Sequence, residues 1–454
     1  MKAFKKSIIL LLAAVLVLSC FTACSAKPAA EAPAPAEAAP AEAAAPAESE
    51  KEETAEPAAE SAESAAATTA DGRVIDERED VLEFWMNEAS QNLSDVVEAT
   101  IADFNEQYPN VKVNVTYLSR EQWQKNYTLG AVSGELPDIG WVDGPETAGW
   151  IQMGILQDIT DEFAAWEESS HYLAGPLKGC VWEGRQYAIP TNSNCLALWY
   201  DKDMLEAAGV EVPTTWDELA AAAEKLTTDT VKGFAMCLRN DEQGTFQVLP
   251  YVISAGGSFD NLDCPETVKA ISAISEMYQK GYMSTDCINW GQSEIASQFA
   301  AGNVAMCEAG PWSIGTVDNP DKNWGVAVLP KFEEYASCLG GENIAIFKGA
   351  DKDLCWDFLT CWCSGQNCAD YNIAGGRFMP RDDSAEYSSY WNDDPLLAAY
   401  NEQMKYAMPR GPHPRWSEYS LVFSAAVQEA ATGVKTPEQA MADAQVAANA
   451  IFGN

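Results

Sequence analysis

Residues 81–115 change their hydrophobic period twice. Val81 to Met86 ("VLEFWM") is an almost unbroken apolar run. Val97, Ile101, Phe104 and Tyr108 then recur at helical spacing, and Val111, Val113 and Val115 alternate with polar residues. A run, a 3.6-residue period and a two-residue period read as strand, helix, strand, with Pro109-Asn110 closing the helix. A helix between two strands is the connection that a parallel pair needs, so the chain opens a parallel α/β sheet. The alternation continues. A short strand, "IGWV", follows Pro137-Asp138, and Leu196 to Tyr200 is another. Thr215-x-x-Glu218 is a capping box that opens an Ala-rich helix. A helix is expected around 265–280, with Asp263 as N-cap, and another ends at Gly302. A strand over 304–307 follows. Thr436-Pro437-Glu438-Gln439 starts the last helix. No internal repeat is visible.

The globular part, about 71–454, is too long for one typical core, which predicts two lobes. What precedes it cannot form a core. Ser25 to Ala70 holds 21 Ala, 10 Glu and 6 Pro, with no aromatic, Leu, Ile or Val, and is expected to be a disordered tether. Before it, Met1-Lys2-Ala3-Phe4-Lys5-Lys6 leads into an apolar run from Ile8 to Leu18. That run is shorter than a bilayer span of ~20 residues and reads as a secretory leader. Phe21-Thr22-Ala23-Cys24 is similar to the bacterial lipobox. The expected order is a leader at 1–23, then a lipidated Cys24 with its tether to residue 70. Two or more acyl chains would hold the protein on the outer face of the plasma membrane.

The globular part carries 58 acids against 23 bases. That balance argues against nucleic acid and against docking on anionic lipid through a basic face, leaving the N-terminal lipid as the only membrane contact. Eleven of the 13 Cys lie there, an odd number. Cys361-x-Cys363-x4-Cys368 lacks zinc-site spacing, and the chain has only His171 and His413 as imidazole ligands. Cys355, Phe358, Leu359 and Trp362 fall at i, i+3, i+4, i+7 and read as a core stripe. Buried reduced thiols are the expectation, with disulfides or a metal as the alternatives. No cofactor is expected. No G-x-S-x-G, H-E-x-x-H or phosphate loop is present, so neither is an enzyme.

One stretch resists a packing account: "FAAGNVAMCEAGPW", Phe299 to Trp312, sets a large aromatic directly after a Gly-Pro turn. It has company in "LPDIGWVDGPETAGWIQMGILQDIT", "LALWYDKDMLEAAGVEVPTTWDEL", "NWGVAVLP" followed by "LGGENIAIFK", and the closing "TPEQAMADAQVAANAIF". Together these resemble family 1 of the extracellular solute-binding proteins, the carbohydrate-binding subunits of ABC importers, over most of 80–452. The resemblance implies an α/β, two-lobed periplasmic-binding-protein-like fold with an interlobe cleft and hinge crossings. Lobe 1 is then 80–193 plus 340–382, lobe 2 is 194–339 plus 383–454, and Gly340-Gly341 sits at a crossing. The implied partners are a carbohydrate, oligosaccharide by preference, and the permease subunits, with the receptor itself monomeric. The alternatives on the same fold are a polyamine, polyol phosphate or peptide ligand, or a ligand-sensing surface lipoprotein.

A sugar needs flat aromatic surfaces for its C–H faces and planar polar groups for its hydroxyls. By the resemblance, Trp312 is the stacking platform of the "GPW" turn. Trp141 and Asp143 fall in the loop where maltose-binding members carry ligand-contacting Trp and Asp. Asn194 stands where such members carry a sugar-binding Glu, and Phe246 where they carry a stacking Tyr. Glu88 follows the first strand, at the carboxyl edge where open α/β sheets bind ligands. Glu342 follows the Gly-Gly crossing. Arg415 and Trp416, in "RGPHPRWSEY", are placed to close the cleft from the second lobe, with His413 and Arg377 as weaker candidates.

Overall fold

The computed structural model describes residues 67–87, 91–411 and 413–453. The leader, Cys24 and nearly all of the tether lie outside the described residues, as does Glu88. The strands are β1 (Asp80–Asn87), β2 (Val111–Leu118), β3 (Ile139–Asp143), β4 (Val181–Trp182), β5 (Arg185–Gln186), β6 (Ala188–Pro190), β7 (Ala197–Asp201), β8 (Lys232–Ala235), β9 (Val304–Ala309), β10 (Trp324–Ala327), β11 (Ser337–Leu339), β12 (Glu342–Ile346) and β13 (Ala407–Pro409). Two sheets organise the molecule. One has the order β2-β1-β3-β12-β6 and the other β10-β7-β9-β8. The opening strands pair in parallel, Leu82 opposite Val113 and Phe84 opposite both Val115 and Ile139, as the strand–helix–strand reading requires. β12 closes that group antiparallel to β3.

Each sheet has its own core. Phe84, Phe104, Trp141, Ile344, Phe358 and Trp362 belong to the first, and Trp199, Phe234, Ile274, Phe299, Met306 and Phe423 to the second. The helix Lys352–Cys363 buries Cys355, Phe358, Leu359 and Trp362 on the first sheet, the stripe its spacing predicts. All eleven cysteines of 71–454 are free thiols, and nine are buried. Helix ends follow local chemistry. Thr215 and Glu218 form the capping box of Trp216–Leu226, and Thr436 caps Pro437–Phe452. The helix Pro265–Gln279 corrects one expectation: its N-cap is Cys264, not Asp263, and the thiol accepts from the Thr267 amide. Pro265 takes the first helical position and so sets the cap one residue before it. Among the described residues no helix is long and apolar enough to cross a membrane.

Three segments carry the chain between the sheets, and they lie side by side. Asn194 pairs with Gly340, and Ser193 pairs with Phe378, through backbone bridges. Gly341 has φ +139°, and a Cβ there would run into the Asn192 carbonyl. Only glycine fits this crossing without strain.

The second sheet carries one polar anomaly. Glu308, on β9, is fully buried, and neither carboxyl oxygen has a hydrogen-bond partner. Burial pushes its pKa well above the ordinary 4.5. A group whose folded pKa is raised supports the fold below its unfolded value and loses that contribution as pH climbs towards the folded one. Glu308→Met should therefore stabilise the protein at neutral pH by about 1–3 kcal/mol, the usual cost of an unsatisfied buried polar group. The gain should shrink as pH falls towards 4.5. Urea midpoints of both proteins across that range check it, and a pH-independent difference would contradict it.

Candidate functional site

A cavity of ≈ 450 Å³ lies where the ends of the two sheets converge. From the first sheet come Asn87 at the end of β1, Asp143 at the end of β3 and Glu342 at the start of β12. Parallel strands deliver side chains from their carboxyl ends into such crevices. Trp123 reaches it from the helix Arg120–Ser133, which Ser119 and Gln122 open with a capping box. Phe246 enters from the helix Glu242–Ser254, and Trp312 from the turn after β9.

The two aromatics form the apolar wall. Their rings are nearly parallel, 22° apart, with centroids 6.4 Å from one another. Arg410 lies over the Phe246 ring with its guanidinium carbon 4.1 Å from the centroid. Gly310 explains how Trp312 gets there. Its backbone is extended, so no unusual dihedral calls for glycine. The Trp312 indole instead folds back across Gly310, where any Cβ would occupy the same space as the ring. Pro311 starts the 3-10 turn Pro311–Thr316 that brings the ring round.

A polar ladder lies beside the two aromatics. Asn194 Nδ2 donates to Asn192 Oδ1 at 3.3 Å, and Asn192 Nδ2 donates to Glu342 Oε2 at 2.7 Å. That carboxylate oxygen lies 4.0 Å from Arg377 Nε. Asn194 Oδ1 is buried without a partner. A buried acceptor left empty costs about 1–3 kcal/mol, which a solute hydroxyl would recover by donating to it. The Arg377 guanidinium is also under-used: its one hydrogen bond to another side chain reaches Tyr371 Oη at 3.5 Å. The cavity thus offers an aromatic face, an open acceptor and a fork of donors.

The model of the bacterial extracellular solute-binding proteins matches residues 99–399. The chain belongs to that family. Among curated relatives it is 24% identical to the sn-glycerol-3-phosphate-binding periplasmic protein UgpB of Escherichia coli (strain K12), over 79% of this chain and 89% of that protein. It is 22% identical to a putative binding protein of Brucella abortus, over 77% and 88% of the two chains. Among solved structures, an ABC transporter solute-binding protein of Thermotoga lettingae TMO bound with alpha-D-tagatose superposes with a TM-score of 0.76 at 24% identity, covering 82% of this chain and 99% of that one. Maltose-bound MalE3 of T. maritima gives 0.74 at 22% identity, with the same coverages. The fold of this solute-binding protein is the two-lobed one of those neighbours.

The structure brings Asp143, Asn194, Phe246, Trp312 and Glu342 to the cavity together with Arg377. It does not bring four others there. Trp141 is fully buried in the first core, edge-on to Tyr371 at 5.3 Å. It shares a sheet face with Asp143 but sits two residues, about 6–7 Å, deeper along the strand, where Tyr371 covers it. Arg415 points away. It grips Glu418 through two nitrogens and donates to the carbonyls of Ala450 and Ile451, satisfying the free end of the last helix. Trp416 is buried beneath the site, with its indole N–H donating to Glu242 Oε2 at 2.9 Å. His413 is tied up locally: its Nδ1 accepts from the Arg415 amide.

Trp123, Gln243, Arg239 and Arg410 also line the cavity and went unnoticed in the sequence. Trp123 had a signal, since the capping box follows directly on β2. Arg410 sits five residues before Arg415 in the same loop, and nothing in the local pattern says which arginine turns inward. A larger groove of ≈ 790 Å³ shares Gln243 with the cavity and is lined by Trp150, Met153 and Leu421 together with Gln124, Lys125, Glu146 and Arg415, but it holds neither Trp312 nor Phe246. Gly310→Ala should push the Trp312 indole off the backbone and break its near-parallel arrangement with Phe246. A crystal structure of the variant reads this directly, and an unmoved ring would contradict the account.

Proposed function

We propose that this solute-binding protein captures a carbohydrate, an oligosaccharide by preference, between its lobes and hands it to the permease of an ABC importer. The observation that carries the reading is that the stacked Phe246–Trp312 pair and the Asn194, Glu342 and Arg377 side chains line one cavity. Aromatic planes suit sugar C–H faces, and an unpartnered amide oxygen beside a guanidinium suits hydroxyls that donate and accept. The proposed contacts are Trp312, Phe246, Asp143, Asn194 and Glu342, with Arg377 and Trp123 added. Sugar-bound neighbours of the same fold support the solute class. The proposed lobes are 80–193 plus 340–382 and 194–339 plus 383–454, with the hinge at the crossings beside Gly340-Gly341. Solute touching both lobes favours the closed state and shifts the equilibrium towards it. The leader, the lipid on Cys24 and the tether would keep a monomeric receptor on the outer face of the membrane within reach of its permease.

A phosphorylated polyol is the second reading. Arg239, Arg377 and Arg410 all line the cavity, and a curated relative is named for sn-glycerol-3-phosphate. Calorimetric titration with neutral oligosaccharides, sn-glycerol-3-phosphate and putrescine separates the readings. The expected result is tight binding of one neutral sugar series, weakened about tenfold by Trp312→Ala, in keeping with a lost stacking contact of about 1.4 kcal/mol. Binding of the phosphate alone would transfer the site to the second reading.

A further inference from the structure

Arg410 sits at the meeting point of the two sheets, and its surroundings are those of a mechanical element. It follows β13, which pairs with β11, the strand that leads into the Gly340-Gly341 crossing. The side chain is almost wholly buried. One guanidinium nitrogen pairs with Glu242 Oε1, at the start of the helix Glu242–Ser254. The other lies 3.7 Å from Asp143 Oδ1, at the end of β3 in the first sheet. Nε donates to the Leu339 carbonyl at 3.3 Å, on the crossing itself. Glu242 is held in turn by the Trp416 indole, and the guanidinium plane rests on Phe246. All three charged side chains are less than a tenth exposed.

We propose that Arg410 is a clasp between the lobes: it joins Asp143 of one to Glu242 of the other and so sets how much of the solute-free protein is closed. The inference rests on the two-lobed hinge reading, not on which solute binds. The physical basis is asymmetric. Within the second lobe, Arg410 keeps Glu242, Phe246 and the Leu339 carbonyl whatever the lobes do. Across the lobes it has the Asp143 carboxylate, 3.7 Å away. In the closed state that pair is shielded from water, where attraction between opposite charges is far stronger than at an exposed surface. Opening hydrates both groups. A receptor held partly closed binds solute more tightly, because apparent affinity scales with the competent fraction. Arg410 is therefore a positioning residue: it also fixes the Phe246 ring that the solute would meet.

The test measures lobe separation without solute. Spin labels carried on genetically encoded ketone side chains at Val132 and Val446, both strongly exposed, avoid the native thiols. Double electron–electron resonance on the full chain then reports the distance distribution between the lobes. Arg410→Met, which keeps an unbranched stem and removes the charged guanidinium, should move the distribution away from its wild-type position, and Arg410→Lys should move it less. Asp143→Asn removes the charge that Arg410 faces across the lobes and leaves the contacts of Arg410 within the second lobe in place; it should reproduce the Arg410→Met shift, and decides the matter if Arg410→Met does not fold. A tenfold loss of the closed fraction would appear as a roughly tenfold weaker affinity for whichever solute binds. Distributions unchanged in both Arg410→Met and Asp143→Asn would overturn the clasp and leave the solute assignment intact.

Discussion

The structure depends on how three chain segments cross between two sheets. Asn194 and Gly340 exchange backbone hydrogen bonds, N to O at 3.1 and 2.9 Å, and Ser193 and Phe378 do the same at 2.7 and 3.0 Å. Each sheet has its own aromatic cluster, and a third, smaller cluster packs around the crossings, where Cys195 and Ala197 meet Cys368, Ala369 and Phe378. The crossings also set geometry. They bring Asn194 and Glu342 to the cavity, with Asn192 bridging the two, and they do so only because Gly341 accepts a dihedral closed to other residues.

The polar wall follows from that geometry. Residues beside a backbone crossing have main-chain groups already paired, which frees their side chains to pair with one another. Asn192 bridges Asn194 and Glu342, and Asn372 Nδ2 supports the segment from behind by donating to the Thr191 carbonyl at 2.9 Å. The open acceptor on Asn194 and the sparse bonding of Arg377 are costs in the empty protein. Groups left unsatisfied at a rigid site make a solute that satisfies them bind with a larger net gain, because the protein has no existing bond to give up.

Period and capping made the frame legible: the opening strand–helix–strand unit, the Cys355–Trp362 stripe and the Thr215 and Thr436 caps are all local patterns. The site was legible only in part. Trp312 was marked by its position after Gly-Pro, although the reason for the glycine lies in the ring that covers it. Asp143 and Trp141 could not be separated, because a two-residue period puts both on one face, and only Tyr371, more than two hundred residues on, decides which is covered. Arg410 and Arg415 share a loop, and what distinguishes them is distant: Glu242 and Asp143 attract the first, while the carbonyls at the end of the last helix hold the second. Choices settled by long-range partners leave no local trace.

Charge distribution adds a last constraint on the solute. The chain has a formal charge of −40, yet three of its nine arginines line one cavity. Each has a carboxylate close by. Arg239 pairs with Asp241 at 2.7 Å, Arg377 lies 4.0 Å from Glu342, and Arg410 has Glu242 and Asp143. Such pairing removes most of the field that would draw in a free anion or a free cation. It leaves rigid donors and acceptors side by side, and an uncharged polyhydroxylated solute can bridge such pairs without being desolvated as an ion. A phosphate would have to compete with Glu342 and Asp241 for the same guanidinium groups. The acidic composition and the paired cavity are thus separate features, and the pairing of each cavity arginine with a carboxylate favours a neutral sugar over a charged one.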